Sequence, residues 1–209
     1  SGGDEKTKFF ISGNFLDEES IFVGNDYNKI SARTNLDHKL SDKLTIGTKS
    51  FFTYVNSSPV PVQNGLGKSN SNLPIHPVYK SDGTYFNPTR NVKASLDNWE
   101  YNSKRRTFLA NWYLNYKLLD GLSFRSEYGI NSVNNNDSQY MGSIIDGNGE
   151  AKAFQSAGSR NSWNLKNLLN YINTFGKHRF DILAGVEASK NTYQVSNIRG
   201  IGFSNSTLK

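Results

Sequence analysis

Residues Lys104–Leu119, with the sequence KRRTFLANWYLNYKLL, alternate between apolar and polar side chains. A period of two is typical of a β-strand, in which successive side chains point to opposite faces of the sheet. The segment is therefore predicted to be a strand with one apolar and one largely polar face. The alternate apolar positions are Phe108, Ala110, Trp112, Leu114, Tyr116 and Leu118.

The residues that follow this strand predict a hairpin. Asp120 and Gly121 tolerate the positive φ that a two-residue hairpin turn requires. The alternation then resumes at Leu122. One face of this return strand carries Leu122, Phe124, Tyr128 and Ile130, and the other carries Arg125, Glu127 and Asn131.

The same pattern of strand, short turn and strand occurs twice more, and a further strand comes before the first hairpin. About seven strands are predicted in total. Leu168 and Leu183 interrupt the alternation of the last hairpin. The remaining predicted strands are Lys8–Leu16, Tyr27–His38, Leu44–Tyr54, Trp163–Tyr171 and Phe180–Ala188, with short turns at Lys39–Lys43 and Thr174–Lys177.

Long polar connections are predicted between these hairpins. One of them holds all five prolines and an internal turn at Asp82–Gly83. Loops of such length are uncommon in compact domains unless they have a function. The predicted connections are residues 17–26, 56–102, 132–161 and the tail from Asn191.

The composition excludes several classes of protein. The chain has 209 residues, no cysteine and a net charge of +6 from scattered basic residues, so a disulfide scaffold is excluded and nucleic-acid binding has little support. No run approaches the roughly 18 apolar residues of a transmembrane helix. Aromatic residues favour strands, and the 27 Asn and 18 Gly favour turns, so an all-β protein is expected.

Two all-β architectures fit the pattern. A soluble sandwich, acting as a carbohydrate- or protein-binding module, also alternates. Three features favour an outer-membrane barrel instead: strands of about 10 to 12 residues, alternation of short and long connections, and aromatic or His residues just before the short turns. In a barrel these residues would form a girdle at the membrane–water interface on the side of the short turns: His38, Tyr116 and Tyr171.

Gly2–Gly13, Ser31–Asp42 and three segments near the C-terminus resemble successive parts of one known family, the SusC/RagA-type TonB-dependent outer-membrane transporters. Gly2–Gly13 resembles an early barrel strand of that family, and Ser31–Asp42 resembles the hairpin that follows it. Leu168–Tyr171, Thr174–His178 and Asp181–Gly185 resemble a later hairpin. The matching segments keep the family order over nearly the whole chain.

The resemblance implies a barrel of about 22 strands that is plugged by another domain. Residues 1–209 would form part of that barrel, without the plug and the remaining strands. Members import oligosaccharides, peptides or similar nutrients, usually beneath a SusD-like surface lipoprotein, with energy from TonB. TonB would act through parts of the parent protein outside this chain, and neither a cofactor nor enzyme activity is expected.

On this interpretation the two faces of each strand meet different surroundings. Lipid of the bacterial outer membrane would contact Phe108, Trp112, Leu114 and Tyr116. The lumen would contain Lys29, Arg33, Arg125 and Glu127. Aromatic residues of the longest connection are candidates for contact with substrate or a lid protein, although for any single residue packing of the loop against itself is the favoured role. These are Tyr79, Tyr85, Phe86, Trp99 and Tyr101.

Motifs for other functions are weak. Gly65–Ser69 (GLGKS) lacks the first Gly of a phosphate-binding loop, because Val62 takes that place. Asp146–Glu150 (DGNGE) lacks the sixth-position Gly and distal Glu of a calcium loop, so a hairpin tip is expected. The histidines, at positions 38, 76 and 178, have no spacing typical of a metal site.

Overall fold

Eight antiparallel strands form a single sheet, and each strand pairs with its neighbours in chain order. The computed structural model describes residues 1–21, 23–59 and 73–203. The predicted all-β, up-and-down architecture is therefore confirmed. The strands are β1 (Gly2–Gly3), β2 (Thr7–Glu19), β3 (Asp26–Lys39), β4 (Leu44–Ser57), β5 (Trp99–Leu119), β6 (Leu122–Met141), β7 (Lys152–Phe175) and β8 (His178–Ile201).

One short strand was not expected from the alternation. The Asp4 carboxylate accepts hydrogen bonds from the backbone N–H groups of Lys6 and Thr7 at 2.8 and 2.6 Å. This turn folds Gly2–Gly3 back onto β2, because an Asp side chain can bond the backbone two or three residues on. The sheet consequently has seven long strands and one strand of two residues.

The three predicted short turns are confirmed. Asp120–Gly121 joins β5 to β6, and Gly121 has a φ of 78°. Gly176 takes a φ of 61° between β7 and β8. Between β3 and β4, the Ser41 hydroxyl accepts from the backbone N–H groups of Lys43 and Leu44. In a meander these turns lie at one end of the sheet, and the longer connections lie at the other.

The strands extend further than the alternation predicted. Strand β6 runs to Met141 and β7 starts at Lys152, so most of the predicted loop 132–161 is strand. The tail from Asn191 is strand to Ile201, and β2 reaches Glu19. Backbone pairing needs only N–H and C=O groups, so the ladder continues where both faces are polar and the alternation is no longer visible.

The connection from β4 to β5 has structure of its own in its described part. The isolated bridge Tyr79–Tyr85 closes the predicted turn at Gly83, whose φ is 81°. A helix, α1 (Val92–Asn98), follows it. The buried Asn91 caps α1 by accepting from Ala94 N, and it donates to two backbone carbonyls of the loop at 2.7 and 3.0 Å.

The described residues bury very little apolar surface. The buried apolar side chains lie around α1 and the long connections, apart from Ala110 in β5 and Tyr140 near the end of β6. Large apolar side chains along the sheet stay exposed, and no second layer covers them within the described part of the chain. No helix among these residues combines the length and the apolar character needed to cross a membrane. The buried apolar residues are Ala94, Ala110, Tyr140, Ile145 and Ala151.

Candidate functional site

The apolar positions of successive strands lie on one face of the sheet. Residues directly opposite each other in an antiparallel pair share a face. Trp112 lies opposite Thr48 and Tyr128, and its ring stacks on Tyr128 at 6.1 Å between centroids. Tyr128 in turn contacts Trp163 at 6.4 Å. The residues predicted to face lipid all lie on this apolar face: Phe108, Trp112, Leu114 and Tyr116.

The predicted interface residues also lie on the apolar face. Tyr116 is opposite Leu44 and Phe124, and His38 is opposite Ile46. Tyr171 is opposite Leu122. Each of the three lies within a few residues of a short turn, so the sheet brings them to one level near that end.

The opposite face is polar. Arg33 lies opposite Phe51, and its guanidinium is 5.6 Å from the centre of that ring. The Arg125 guanidinium donates to the Glu127 carboxylate and, at 2.8 Å, to Asn115 Oδ1. The register places all four residues predicted to face the lumen on this polar face: Lys29, Arg33, Arg125 and Glu127.

A hydrogen bond across three strands organises the polar face. The Tyr113 hydroxyl of β5 donates to the Asp37 carboxylate of β3. The ring passes over Gly47 of β4, where an added Cβ would lie 2.4 Å from ring atoms. The Arg125 guanidinium lies over the same Tyr113 ring, 4.7 Å from its centre. A mid-strand glycine that admits a neighbouring group is the one signal in the sequence that points to this contact.

Asp37, Gly47 and Tyr113 belong to a longer row of residues across the polar face, in which the other members are charged. Lys166 and Glu187 form an ion pair at 3.6 Å. Successive members of the row are register partners, so they lie at one height on seven neighbouring strands. The row is Lys8, Asp37, Gly47, Tyr113, Glu127, Lys166 and Glu187. Sequence analysis missed it, because strands far apart in the chain contribute its members.

The loop aromatics fall into two groups. Tyr79 and Tyr85 pack against each other, with ring centroids 5.3 Å apart, and His76 packs on Phe86 at 5.4 Å. Trp99 and Tyr101 were predicted to lie in the connection, but they belong to the first part of β5, which begins at Trp99. Both line a cavity of about 800 Å³ at the end of the sheet that carries the long connections.

Hydrogen bonds fix the first group within the loop. The Tyr85 hydroxyl donates to Asp97 Oδ2 at 2.6 Å, and this bond to the carboxylate raises the pKa of Tyr85 to about 12. Lys93 pairs with Asp97 at 2.5 Å. Hydrogen bonds from Lys93 and then Tyr85 hold the pKa of Asp97 below its usual value. Tyr85 is therefore part of the internal structure of the loop.

The segment Asp146–Glu150, which weakly matched a calcium loop in the sequence, has a structural role. Asp146 Oδ2 accepts from the backbone N–H groups of Asn148 and Glu150, and its other oxygen pairs with Lys152 at 2.5 Å. This is the hairpin tip expected from the sequence. The described residues contain no group of three or more His, Cys, Asp or Glu able to hold a metal ion. Residues 65–69 lie outside the described part.

Comparisons by sequence point to one class of protein. No protein-family model matches the chain. TonB-dependent receptor P26 of Formosa agariphila is 25% identical over 98% of the chain, and TonB-dependent receptor P39 of the same organism is 27% identical over 100%. The chain spans only 22% and 21% of the length of these relatives.

Comparisons by structure give the same fold. The RagAB peptide transporter matches 100% of the chain with a TM-score of 0.78 at 17% identity, over 25% of its own chain. The structure of P. aeruginosa FpvA bound to pyoverdines matches 92% of the chain with a TM-score of 0.61 at 13% identity, over 24% of its own chain. The two relatives are named as receptors and RagAB as a transporter, and none of them is named as an enzyme. The prediction of a strand-rich protein of the bacterial outer membrane agrees with these matches. Along nearly its whole length, the chain is therefore similar in sequence to part of the TonB-dependent receptors and in fold to part of the RagAB transporter.

Proposed function

We propose that this chain is part of a TonB-dependent importer that carries oligosaccharides, peptides or similar nutrients across the outer membrane. Residues 1–209 would form one part of the barrel wall of the parent protein, and a plug and further strands would lie elsewhere in it. The proposal rests above all on one observation: a single meander of long strands exposes a continuous apolar face that nothing in the described residues covers.

The two faces then have separate roles. Strands inside a bilayer must pair all their backbone groups, which a closed barrel achieves. The apolar face, with Phe108, Trp112, Leu114 and Tyr116, would contact lipid. The polar face would line the lumen, where Lys29, Arg33, Arg125 and Glu127 meet water, substrate or other parts of the parent protein.

The names of similar proteins support the partners in this proposal. The relatives are named TonB-dependent receptors, which fits energy supplied by TonB through other parts of the parent protein. RagAB is described as a peptide transporter. A SusD-like surface lipoprotein acting at the long-connection end would complete the importer.

The alternative, a soluble all-β binding module, requires a second layer over the apolar face. Outside the sheet, the described residues form only α1, the short 3₁₀ helix Ser143–Ile145 and the connections at the two ends of the sheet. Large apolar side chains such as Ile182 and Val186, 56% and 68% exposed, would remain in water. Exposed apolar area of this extent is rare on soluble monomers.

Deletion of the full-length gene in its native host tests the proposal. We expect loss of growth on the imported nutrient class and loss of uptake of the labelled nutrient. Collapse of the proton gradient with a protonophore should abolish the same uptake in the wild type. Unchanged growth and uptake of saccharides and peptides after deletion would refute the import function.

A further inference from the structure

Two neighbouring cations lie on the apolar face of β5, at the point where its apolar residues end. Lys104 and Arg106 share this face with Phe108 and Trp112, because every second residue of a strand lies on the same side. Both cationic side chains are exposed. Residues two apart along a strand are about 7 Å from each other, so the two charged groups can reach one ligand.

The depth of this pair matches the outer edge of the membrane in the proposed barrel. Ten residues separate Arg106 from Tyr116 of the predicted girdle, since 116 − 106 = 10. They cover about 33 Å along the strand, which is about 23 Å along the membrane normal at a tilt of about 45°. The apolar band is about 25 Å tall, so Arg106 lies where the band ends and Lys104 lies just beyond it. This level belongs to the outer leaflet, because the long connections of such barrels lie on the cell surface.

The positive charge of the pair is not neutralised within the described part of the chain. No carboxylate among those residues pairs with Lys104 or Arg106, whereas Arg125 and Lys166 on the polar face each pair with a glutamate. The Arg106 guanidinium lies 5.8 Å from the centre of the Tyr54 ring, which holds it at this level. The nearest positions on the same face of the neighbouring strands carry no acidic side chain: Tyr54, Asn56, Asn134, Asn136, Ala157 and Ser159.

The surroundings of the pair suit a phosphorylated glycolipid. Toward the short-turn end, Phe52 and Phe108 are 41% and 38% exposed and would contact acyl chains. The exposed amides of Asn134 and Asn136 can donate to and accept from sugar hydroxyls. Arginine and lysine bind phosphate through charge-assisted hydrogen bonds. The outer leaflet of the outer membrane consists largely of lipopolysaccharide, whose lipid A anchor joins acyl chains to a phosphorylated disaccharide.

We propose that Lys104 and Arg106 bind a phosphate group of lipid A in the outer leaflet, with its acyl chains against Phe52 and Phe108. The inference rests on the proposed place of this chain in the barrel wall, and it adds a specific lipid partner. The site lies on the face opposite the lumen, so it is separate from the path of the imported nutrient.

Native mass spectrometry of the purified full-length protein in detergent tests this site. The probes are diphosphoryl lipid A, lipid A without its phosphates, and phosphatidylglycerol, each added to the detergent micelles. The double variant Lys104→Gln, Arg106→Gln should bind diphosphoryl lipid A at least about tenfold more weakly than the wild type, because two charge-assisted contacts are lost. The wild type should bind the other two probes at least about tenfold more weakly than diphosphoryl lipid A.

Arg105→Gln is the matched control. Arg105 lies between the two cations in the sequence and is also exposed, but its side chain is on the polar face, where Nε donates to Asn135 Oδ1 at 2.8 Å. This variant should keep the wild-type affinity for lipid A. Arg106→Lys, which keeps the charge at the site, should also retain binding, so loss of the site is distinguished from misfolding.

Four results would overturn the inference. They are no binding of lipid A by the wild type, equal lipid A affinity in the double variant and the Arg105→Gln control, equal affinity of the wild type for lipid A with and without phosphates, and binding of phosphatidylglycerol as strong as that of lipid A.

Nutrient uptake separates this failure from failure of the import function. If deletion of the gene abolishes uptake while the double variant binds lipid A normally, the importer stands and the lipid site does not. If the wild type binds lipid A through this pair while deletion leaves uptake unchanged, the lipid site stands and the import function does not.

Discussion

Leu114→Arg is the sharpest test of which face meets lipid. Leu114 lies five residues before the end of β5 at Leu119, since 119 − 114 = 5. Five residues cover about 16 Å along a strand, which is about 12 Å along the membrane normal at a tilt of about 45°. The apolar band of an outer-membrane barrel is about 25 Å tall. Tyr116, predicted to lie at the edge of this band, is only two residues away, so Leu114 lies inside the band but short of its middle.

The cost of the substitution follows from this depth. An arginine on the lipid face lowers the free energy of unfolding by about 2 to 4 kcal/mol at mid-bilayer and by about 0 to 1 kcal/mol near an interface, so a loss of about 1 to 3 kcal/mol is expected at this depth. Its register partners, Ile46 and Ser126, offer no charge to pair with it. We therefore expect the Leu114→Arg protein to accumulate poorly in the outer membrane and to unfold at lower urea concentration.

Leu183→Arg provides a control that is matched in chemistry and in depth. Leu183 lies five residues after the start of β8 at His178, since 183 − 178 = 5. It is opposite Asn170, which is opposite Ser123, so it lies on the polar face. An exposed position in water should change stability by less than about 1 kcal/mol.

The assay is urea-induced unfolding of the full-length protein in lipid vesicles, followed by tryptophan fluorescence, with the yield of folded protein in the outer membrane as a second measure. Arg125→Leu, on the polar face, should also be milder than Leu114→Arg. Equal losses in Leu114→Arg and Leu183→Arg, or a greater loss in Leu183→Arg, would contradict the assignment of the faces.

Three further predictions concern internal contacts. Gly47→Val would place a Cβ 2.4 Å from Tyr113 ring atoms and should lower the free energy of unfolding by about 1 to 3 kcal/mol in the same urea assay; an unchanged midpoint would contradict this. Asn91→Ala removes the cap of α1 and should destabilise the loop by about 1 to 2 kcal/mol, seen as faster proteolysis within residues 73–98 while the sheet stays resistant. The lowered pKa of Asp97 stabilises the loop above about pH 4, and this contribution is lost as the pH falls through the folded-state pKa. In Tyr85→Phe the pKa of Asp97 should rise toward its usual value, so carboxyl NMR should show protonation at higher pH than in the wild type, and an unchanged titration would refute the role of this bond.

Local sequence was enough to predict the fold where one side of a strand must be apolar. The alternation in Lys104–Leu119 and the Asp120–Gly121 turn follow from neighbouring residues alone, and both are present in the structure. The same pattern failed at Ser132–Asn161, because backbone pairing continues where neither face has to be apolar. It also missed β1, which depends on a single Asp side chain.

The candidate site was predictable only in part. Trp99 and Tyr101 stood out as loop aromatics, but nothing in the sequence separated them from Tyr79 and Tyr85. The structure separates them, because one pair lines the cavity and the other packs within the loop. Phe154 and Arg199 join the cavity only through strand register.

The sequence by itself determined which residues of each strand share a face, since a strand places every second side chain on the same side. Only the tertiary structure decided which residues of different strands lie next to each other in the sheet. The bond from Tyr113 to Asp37 joins residues 76 positions apart over Gly47. This contact depends on two registers at once, that of β3 with β4 and that of β4 with β5. Pairing between strands sets these registers, and it joins residues too far apart in the sequence for a local pattern to predict.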